Sequence, residues 1–336
     1  MKTRFFLVGM MAAALLSGCS QDEVVESLDM NQAIGFGTYV GTQTKASEQT
    51  IETIKGENKG FGVYAYYTNE NSYNSSTPVL NFMVNVHVTF NNSAWEYSPL
   101  RYWMNGTDKI SFFAYAPYDD NKTYDDENIT AKPTVNTTGD PVISFEVNET
   151  VRDQTDLLYA KNMNQTRADE EVEFTFNHAL SRIAVYAKTS ADYYSDSDVE
   201  IEVTGITLTG KPNTTGTLNL HTEEWTATPA SEDVTYVIGL NSNILSTSEQ
   251  QLNTTNDYLM IIPTDMRATG FTVTVNYNIT QAGVSSSNTV TGTSKDEFIK
   301  GTAYKVVLNV GLDAIEFDVT SVEGWNEPEI EIPSTL

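Results

Sequence analysis

Apolar and polar residues alternate with a period of two along most of this chain. In "FTVTVNYNI", Phe271, Val273, Val275, Tyr277 and Ile279 fall on one side, and Thr272, Thr274, Asn276 and Asn278 on the other. "VNVHVTF" repeats the pattern with Val84, Val86, Val88 and Phe90, and "YKVVLNVGL" with Tyr304, Val306, Leu308, Val310 and Leu312. Successive side chains of a strand point to opposite faces, so each stretch predicts a strand with one buried face. Further strands are predicted over residues 61–67, 110–115, 143–147, 172–176, 183–187, 201–208 and 315–319. Clusters of Asn, Gly and Ser separate them, as turns require. One stretch, "SKDEFIKG", predicts a short helix: Ser294 as N-cap, Glu297 closing a capping box and Gly301 as the stop. The fold class is all-β, built as antiparallel β-sandwiches.

Two stretches look like copies. "VTFNNSAWEYSP" and "LNLHTEEWTATP" each end a strand five residues before a tryptophan (Phe90 to Trp95, Leu220 to Trp225), with a proline four residues further on. "DKISFFAYAP" and "DYLMIIP" then follow in the same order. That order predicts two sandwich domains of similar plan in tandem. The polar stretch "KNMNQTRADEE" supplies the boundary, giving an N-terminal domain over 33–165 and a C-terminal domain over 166–336.

The chain begins differently. Lys2 and Arg4 precede an apolar run over residues 5–16, which is too short to span a bilayer. Small residues then lead to Cys19, the one cysteine of 336 residues. This is the order of a secretory signal, and Leu16-Ser17-Gly18-Cys19 resembles a bacterial lipobox. The resemblance implies removal of residues 1–18 and acylation of Cys19 with palmitate-type chains, which anchors the protein to a membrane without spanning it. Ser20 in place of aspartate favours the outer membrane. Residues 19–32 form a tether whose Asp22, Glu23 and Glu26 resemble acidic tags for the outer face.

Charge narrows the partners. The formal net charge is −26, without the clustered lysine and arginine that binding to nucleic acid or anionic lipid requires. A single cysteine forms no internal disulfide. His87, His178 and His221 have no metal-site spacing, and no G-x-S-x-G, H-E-x-x-H or P-loop occurs. Asp119, Asn121 and Thr123 carry the alternate oxygens of a calcium loop but lack its glycine and final glutamate; Asp196, Asp198 and Glu200 form a second acidic run. No metal, cofactor or catalytic residue is expected, and the chain does not read as an enzyme.

Several pieces, in order, resemble the fimbrillin family, the subunits of type V pili in Bacteroidales-type bacteria. They are "AIGFGTYVGTQTKA", "GFGVYAYY", "YWMNGTDKISFFAYAP", "DLLYA", "VEFTFNHALSRIAV", "GITLTG" with "GTLNL", "DYLMIIP", "GTAYKVVLNV" and "IEFDVTSVEGW". The resemblance implies two transthyretin-like sandwiches and a surface fimbrium that mediates adhesion. It also implies that a surface protease frees the first strand, and that a neighbouring subunit's strand fills the groove by β-augmentation. The released strand would be residues 34–40, with Ile34, Phe36, Tyr39 and Val40 as plugs. The cut would fall between Gly41 and Lys59, and the donor would be the C-terminal tail, with Ile315, Phe317, Val319, Ile330 and Ile332. Its partners would be other pilus subunits, the protease, and a host or bacterial surface ligand.

One departure stands out. The family's stalk subunits offer an arginine to a trypsin-like protease, whereas this chain has none between Arg4 and Arg101, only Lys45, Lys55 and Lys59. Either a lysine is cut or the strand stays, as an anchor subunit would require. The alternative is a non-polymerising surface lipoprotein that binds glycan or host protein through tyrosine and tryptophan. Phe61, Trp95 and Trp103 read as packing residues, while Tyr67 and Tyr73 fit either role. The first strand discriminates: paired in the N-terminal sandwich, it favours the pilus; free, the binding module.

Overall fold

The structure is a computed structural model. It describes residues 32–40, 50–56, 59–74, 78–118, 129–132, 138–189, 199–241, 244–254, 257–310 and 315–321, with backbone alone for 39–40, 129–132 and 315–321. In chain order the elements are β1 (Gly35–Val40), α1 (Ile51–Ile54), β2 (Phe61–Tyr67), β3 (Met83–Asn91), β4 (Ala94–Glu96), β5 (Ile110–Ala116), β6 (Ile129–Lys132) and β7 (Val142–Glu146). There follow β8 (Leu158–Gln165), β9 (Glu171–His178), β10 (Ser181–Thr189), β11 (Val199–Gly210), β12 (Asn213–Asn219), β13 (Trp225–Pro229), β14 (Val234–Ile238) and β15 (Gln250–Gln251). The last are β16 (Leu259–Ile261), β17 (Thr264–Asp265), β18 (Phe271–Gln281), β19 (Val284–Ser294), β20 (Glu297–Phe298), β21 (Ala303–Val310) and β22 (Ile315–Ser321).

A seven-stranded sheet, ordered β1-β9-β8-β5-β2-β3-β4, organises the N-terminal half. Its central strands are buried on both faces, which explains their near-continuous apolar sequences "FGVYAYY" and "ISFFAYA". Phe61, Val63, Ala65, Phe112 and Ala114 line one face, where the sheet curls around a core that also takes Ile34 and Phe36. Tyr64, Tyr66, Phe113, Tyr115 and Tyr159 line the other, against a second sheet ordered β13-β12-β7-β6. The C-terminal half is a sandwich of β15-β10-β21-β22, with β16 beside β10, against β14-β11-β18-β19.

The two halves share a sheet. β7 pairs with β12 from Glu146–Thr215 to Val142–Asn219, so a hairpin of the C-terminal half covers the N-terminal core. At this seam Asp140 accepts from the Tyr73 hydroxyl at 2.7 Å and from the Asn219 amide at 3.1 Å, with the His221 ring 3.2 Å away. Trp225 donates its indole N–H to the Ala179 carbonyl at 2.8 Å. Burial and the neighbouring Asp140 push the Tyr73 phenol well above its usual range, so it stays a donor.

Four features depart from the sequence reading. The helix over "SKDEFIKG" is absent: β20 pairs instead with β17, Phe298 is buried, and the Ser294 hydroxyl bonds the Asp296 carboxylate rather than a helix terminus. The α-helix among the described residues is α1, closed by a capping box between Thr50 and Thr53, and two single 3-10 turns lie at Val151–Asp153 and Arg167–Asp169. In β3 the common face of Val84, Val86, Val88 and Phe90 breaks. A register shift places left-handed Asn85 opposite β2, so Val84 joins one core and Val86 and Val88 the other. Two pairings, β1–β9 and β10–β21, are parallel. Finally, β9 lies beyond the expected boundary at 165/166 but belongs to the first sheet.

Candidate functional site: the seat of the first strand

The residues preceding β1 set its position. Ile34 donates its N–H to the Arg101 carbonyl at 2.9 Å, and Trp103 donates to the Gln32 carbonyl at 3.0 Å, so Ala33 bridges Tyr102 in an antiparallel contact. The Tyr97 hydroxyl, two positions upstream of the Pro99 turn, donates to the Ile34 carbonyl at 2.9 Å. The Arg167 guanidinium reaches the Gln32 side chain at 3.1 Å. From Gly35 to Val40 the chain then runs parallel to β9, with Gly35 opposite Glu171 and Val40 opposite Phe176.

Side chains anchor what the main chain aligns. Ile34 is 1% exposed and Phe36 3%. The Phe36 ring stacks on Phe174 at 5.7 Å between centroids and meets Tyr97, Phe112 and Phe61 edge-on at 5.3, 6.0 and 6.1 Å. Burying these two side chains contributes roughly 3–6 kcal/mol, at about 1.5–3 kcal/mol each. That is enough to hold a covalently attached strand in place. Tyr39 and Val40 are paired in backbone with Thr175 and Phe176.

The three lysines separate by position. Lys45 lies outside the described residues, in the segment 41–49 between β1 and α1. Lys55 is the C-cap of α1; its ammonium sits 4.8 Å from the Phe90 ring centroid and 3.7 Å from Glu52, and Ile54 beside it is fully buried. Lys59 is exposed, but its N–H bonds the Gly56 carbonyl at 3.0 Å and its carbonyl accepts from His87 Nε2 at 2.9 Å. A protease binds its substrate as an extended strand, so Lys55 and Lys59 are poorly presented.

Of the candidate donor residues, Ile315, Phe317 and Val319 lie in β22, paired antiparallel with β21 of their own half opposite Val310, Leu308 and Val306. Ile330 and Ile332 lie outside the described residues, as do Cys19 and the acidic run from Asp119 to Thr123. Trp103 and Phe61 are buried, and Trp95 packs against Phe61 and Phe90. Tyr73 is committed to the seam, and the Tyr67 hydroxyl donates to Asp108 at 3.0 Å. His178 is buried against Asp156 at 2.9 Å, and His87 stacks on Tyr118 at 3.9 Å. Among the described residues, no three His, Cys, Asp or Glu side chains gather as a metal site.

The sequence reading missed Tyr97, Trp103 and Gln32 as the clasp on β1. "EYSPLRYW" carried the signal as an aromatic cluster, but nothing in it says which strand those rings face.

This is the architecture of an all-β sandwich protein whose first strand is an edge strand plugging its own core. The family described as fimbrillin-like matches residues 44–325. A fimbrium subunit, Fim1C, of Phocaeicola vulgatus is 32% identical, with 96% of each chain covered. A solved fimbrial protein from Bacteroides vulgatus superposes with a TM-score of 0.74 at 27% identity, over 88% of this chain and 100% of that one. A solved structure from Bacteroides uniformis, 16% identical over 88% of this chain and 98% of that one, shares the fold at a TM-score of 0.52. The chain belongs to the fimbrillin-like family.

Proposed function

We propose that this chain is a structural subunit of a surface fimbrium that serves adhesion. It is exported as a lipoprotein acylated on Cys19 and held at the outer face of the outer membrane. Proteolysis between β1 and α1 frees β1, and a strand from a neighbouring subunit takes its place. Loss of β1 uncovers Phe61, Phe112 and Phe174 and leaves one edge of β9 unpaired, both costly until a new strand binds. A head-to-tail exchange of this type does not close on itself and so extends a filament.

The observation that carries this reading is the seating of β1, an edge strand whose Ile34 and Phe36 are core residues. The shielding of Lys55 and Lys59 supports Lys45, before Thr50, as the cut over the other two lysines. The C-terminal tail is the donor, with Ile330 and Ile332 as its plugs, while β22 stays paired in its own sandwich.

The test compares the chain from Ser20 with one beginning at Ala46, by size exclusion and negative-stain microscopy, and adds a third form beginning at Ala46 and ending at Ser321. Filaments or detergent-resistant ladders from the second form alone support the proposal. If the second form stays a folded monomer, or the third polymerises as well as it does, strand release or the donor assignment fails.

A further inference from the structure

The β18–β19 hairpin stands apart from the rest of the molecule. In a chain that is 19% charged, residues 268–294 contain no Asp, Glu, Lys or Arg. The hairpin turns tightly at Ala282 and Gly283, both at positive φ, and pairs without a register shift from Phe271–Ser294 to Gln281–Val284. β18 is covered on its other side by β11, so β19 forms the edge of its sheet. β22 of the facing sheet lies alongside but does not pair with it.

Exposed edges invite association, and proteins blunt them with short strands, charges, prolines or bulges. Among the described residues, β1 is also an edge without charge or proline, though only six residues long, and other edges follow that rule. β4 has three residues, including Glu96; β6 carries Lys132; β13 ends in Pro229; β14 has five residues; β22 carries Glu316 and Asp318. β19 is eleven residues long with none of these guards. Val284 is 75% exposed, and Ser285, Ser287, Thr289, Thr291 and Thr293 present a hydroxyl row to solvent. That row is held in place by bonds across the hairpin: Thr280 with Ser285 at 3.1 Å, Ser287 to Asn278 at 2.8 Å and Thr289 to Asn276 at 2.8 Å. The edge is therefore ordered before any partner arrives, which lowers the cost of binding.

We infer that β19 is an interface for a second copy of this chain. The two strands pair antiparallel about a two-fold axis near Thr289 and join two four-stranded sheets into one of eight. Net charge decides the occupant. With a formal charge of −26, copies repel one another over most approaches, and an uncharged edge is where they can meet without opposing like charges. The edge is also self-complementary, because Ser287 would face Thr291 and Thr289 would face itself, pairs that hydrogen-bond across strands. Such a contact is isologous and closes at two copies. It is lateral, separate from the head-to-tail exchange proposed above, and repeated along filaments it would bind them side by side.

The test is sedimentation velocity over a range of concentrations, on the chain from Ser20 that keeps β1, beside the variant Ser287→Lys/Thr289→Lys/Thr291→Lys. The parent is expected to dimerise with rising concentration, and the variant at least about tenfold more weakly, because each lysine opposes another across the axis. The variant is less acidic than its parent, so general repulsion does not explain a loss. Thr235→Lys on β14 should leave the dimer intact. Hydrogen exchange gives a second readout: amides of residues 284–294 should gain protection as concentration rises. A parent that stays monomeric, a lysine variant that dimerises equally, or amide protection independent of concentration would overturn the inference.

Discussion

Phe36 touches Phe61, Tyr97, Phe112 and Phe174, rings drawn from four separate segments, so no one neighbour can close the space it would leave. Phe36→Ala is expected to cost about 3–5 kcal/mol in urea unfolding. A loss below about 1 kcal/mol would mean that β1 does not hold the core. Gly60 acts through the backbone. Its φ is +128°, and a Cβ there would collide with the Val88 carbonyl oxygen, so Gly60→Ala should destabilise by at least about 1–3 kcal/mol. It should also loosen Lys59, which a gain in proteolysis at that residue would report. Burial raises the Asp296 carboxyl above its usual range, against the opposing effect of Ser294. The folded state therefore penalises the charged form. That penalty is absent below the unfolded carboxylate range and grows as pH rises through the native value. Asp296→Asn should melt higher than its parent near about pH 7 and lose that advantage near about pH 3. An equal difference at both values would refute the assignment.

At the level of elements, the strands were legible where alternation is regular. β9 keeps Val172, Phe174 and Phe176 buried between exposed Glu171, Glu173, Thr175 and Asn177, and β18 does the same with Phe271, Val273, Val275 and Tyr277. Alternation fixes which residues share a face but not the partner or its direction. That is why the parallel seating of β1 on β9 and the crossing of β12 to β7 could not be read from it. "SKDEFIKG" shows the opposite failure: good capping residues lost to β17, whose pairing buries Phe298 beside Phe271 and Tyr304. The candidate site was half visible. Ile34 and Phe36 stood out as plugs, whereas Tyr97 and Trp103 needed the fold to bring them to β1. α1 yields a prediction at this scale. Brief digestion with a lysine-specific protease, followed by mass spectrometry, should release a fragment ending at Lys45 before any ending at Lys55 or Lys59. First cleavage after Lys55 would contradict the view that α1 stays with the body.

Across the whole molecule, the seam through β7 and β12 makes the halves interdependent. The N-terminal face formed by Tyr64, Phe113 and Tyr159 belongs to the same buried cluster as Ile183, Val275 and Leu308. Calorimetry should therefore show one unfolding transition and not two resolved ones. In the proposed function, β1 is the piece that is exchanged. The most direct test locks it. A Cβ at Gly37 points at the Glu173 carboxylate on the paired strand, so Gly37→Cys with Glu173→Cys, in a chain lacking Cys19, places two thiols across β1 and β9. With a specific protease site introduced in the segment 41–49, the cut, oxidised chain should remain monomeric, and adding reductant should start the growth of detergent-resistant oligomers. Oligomers that form equally while the strand is locked, or none after reduction, would contradict strand release.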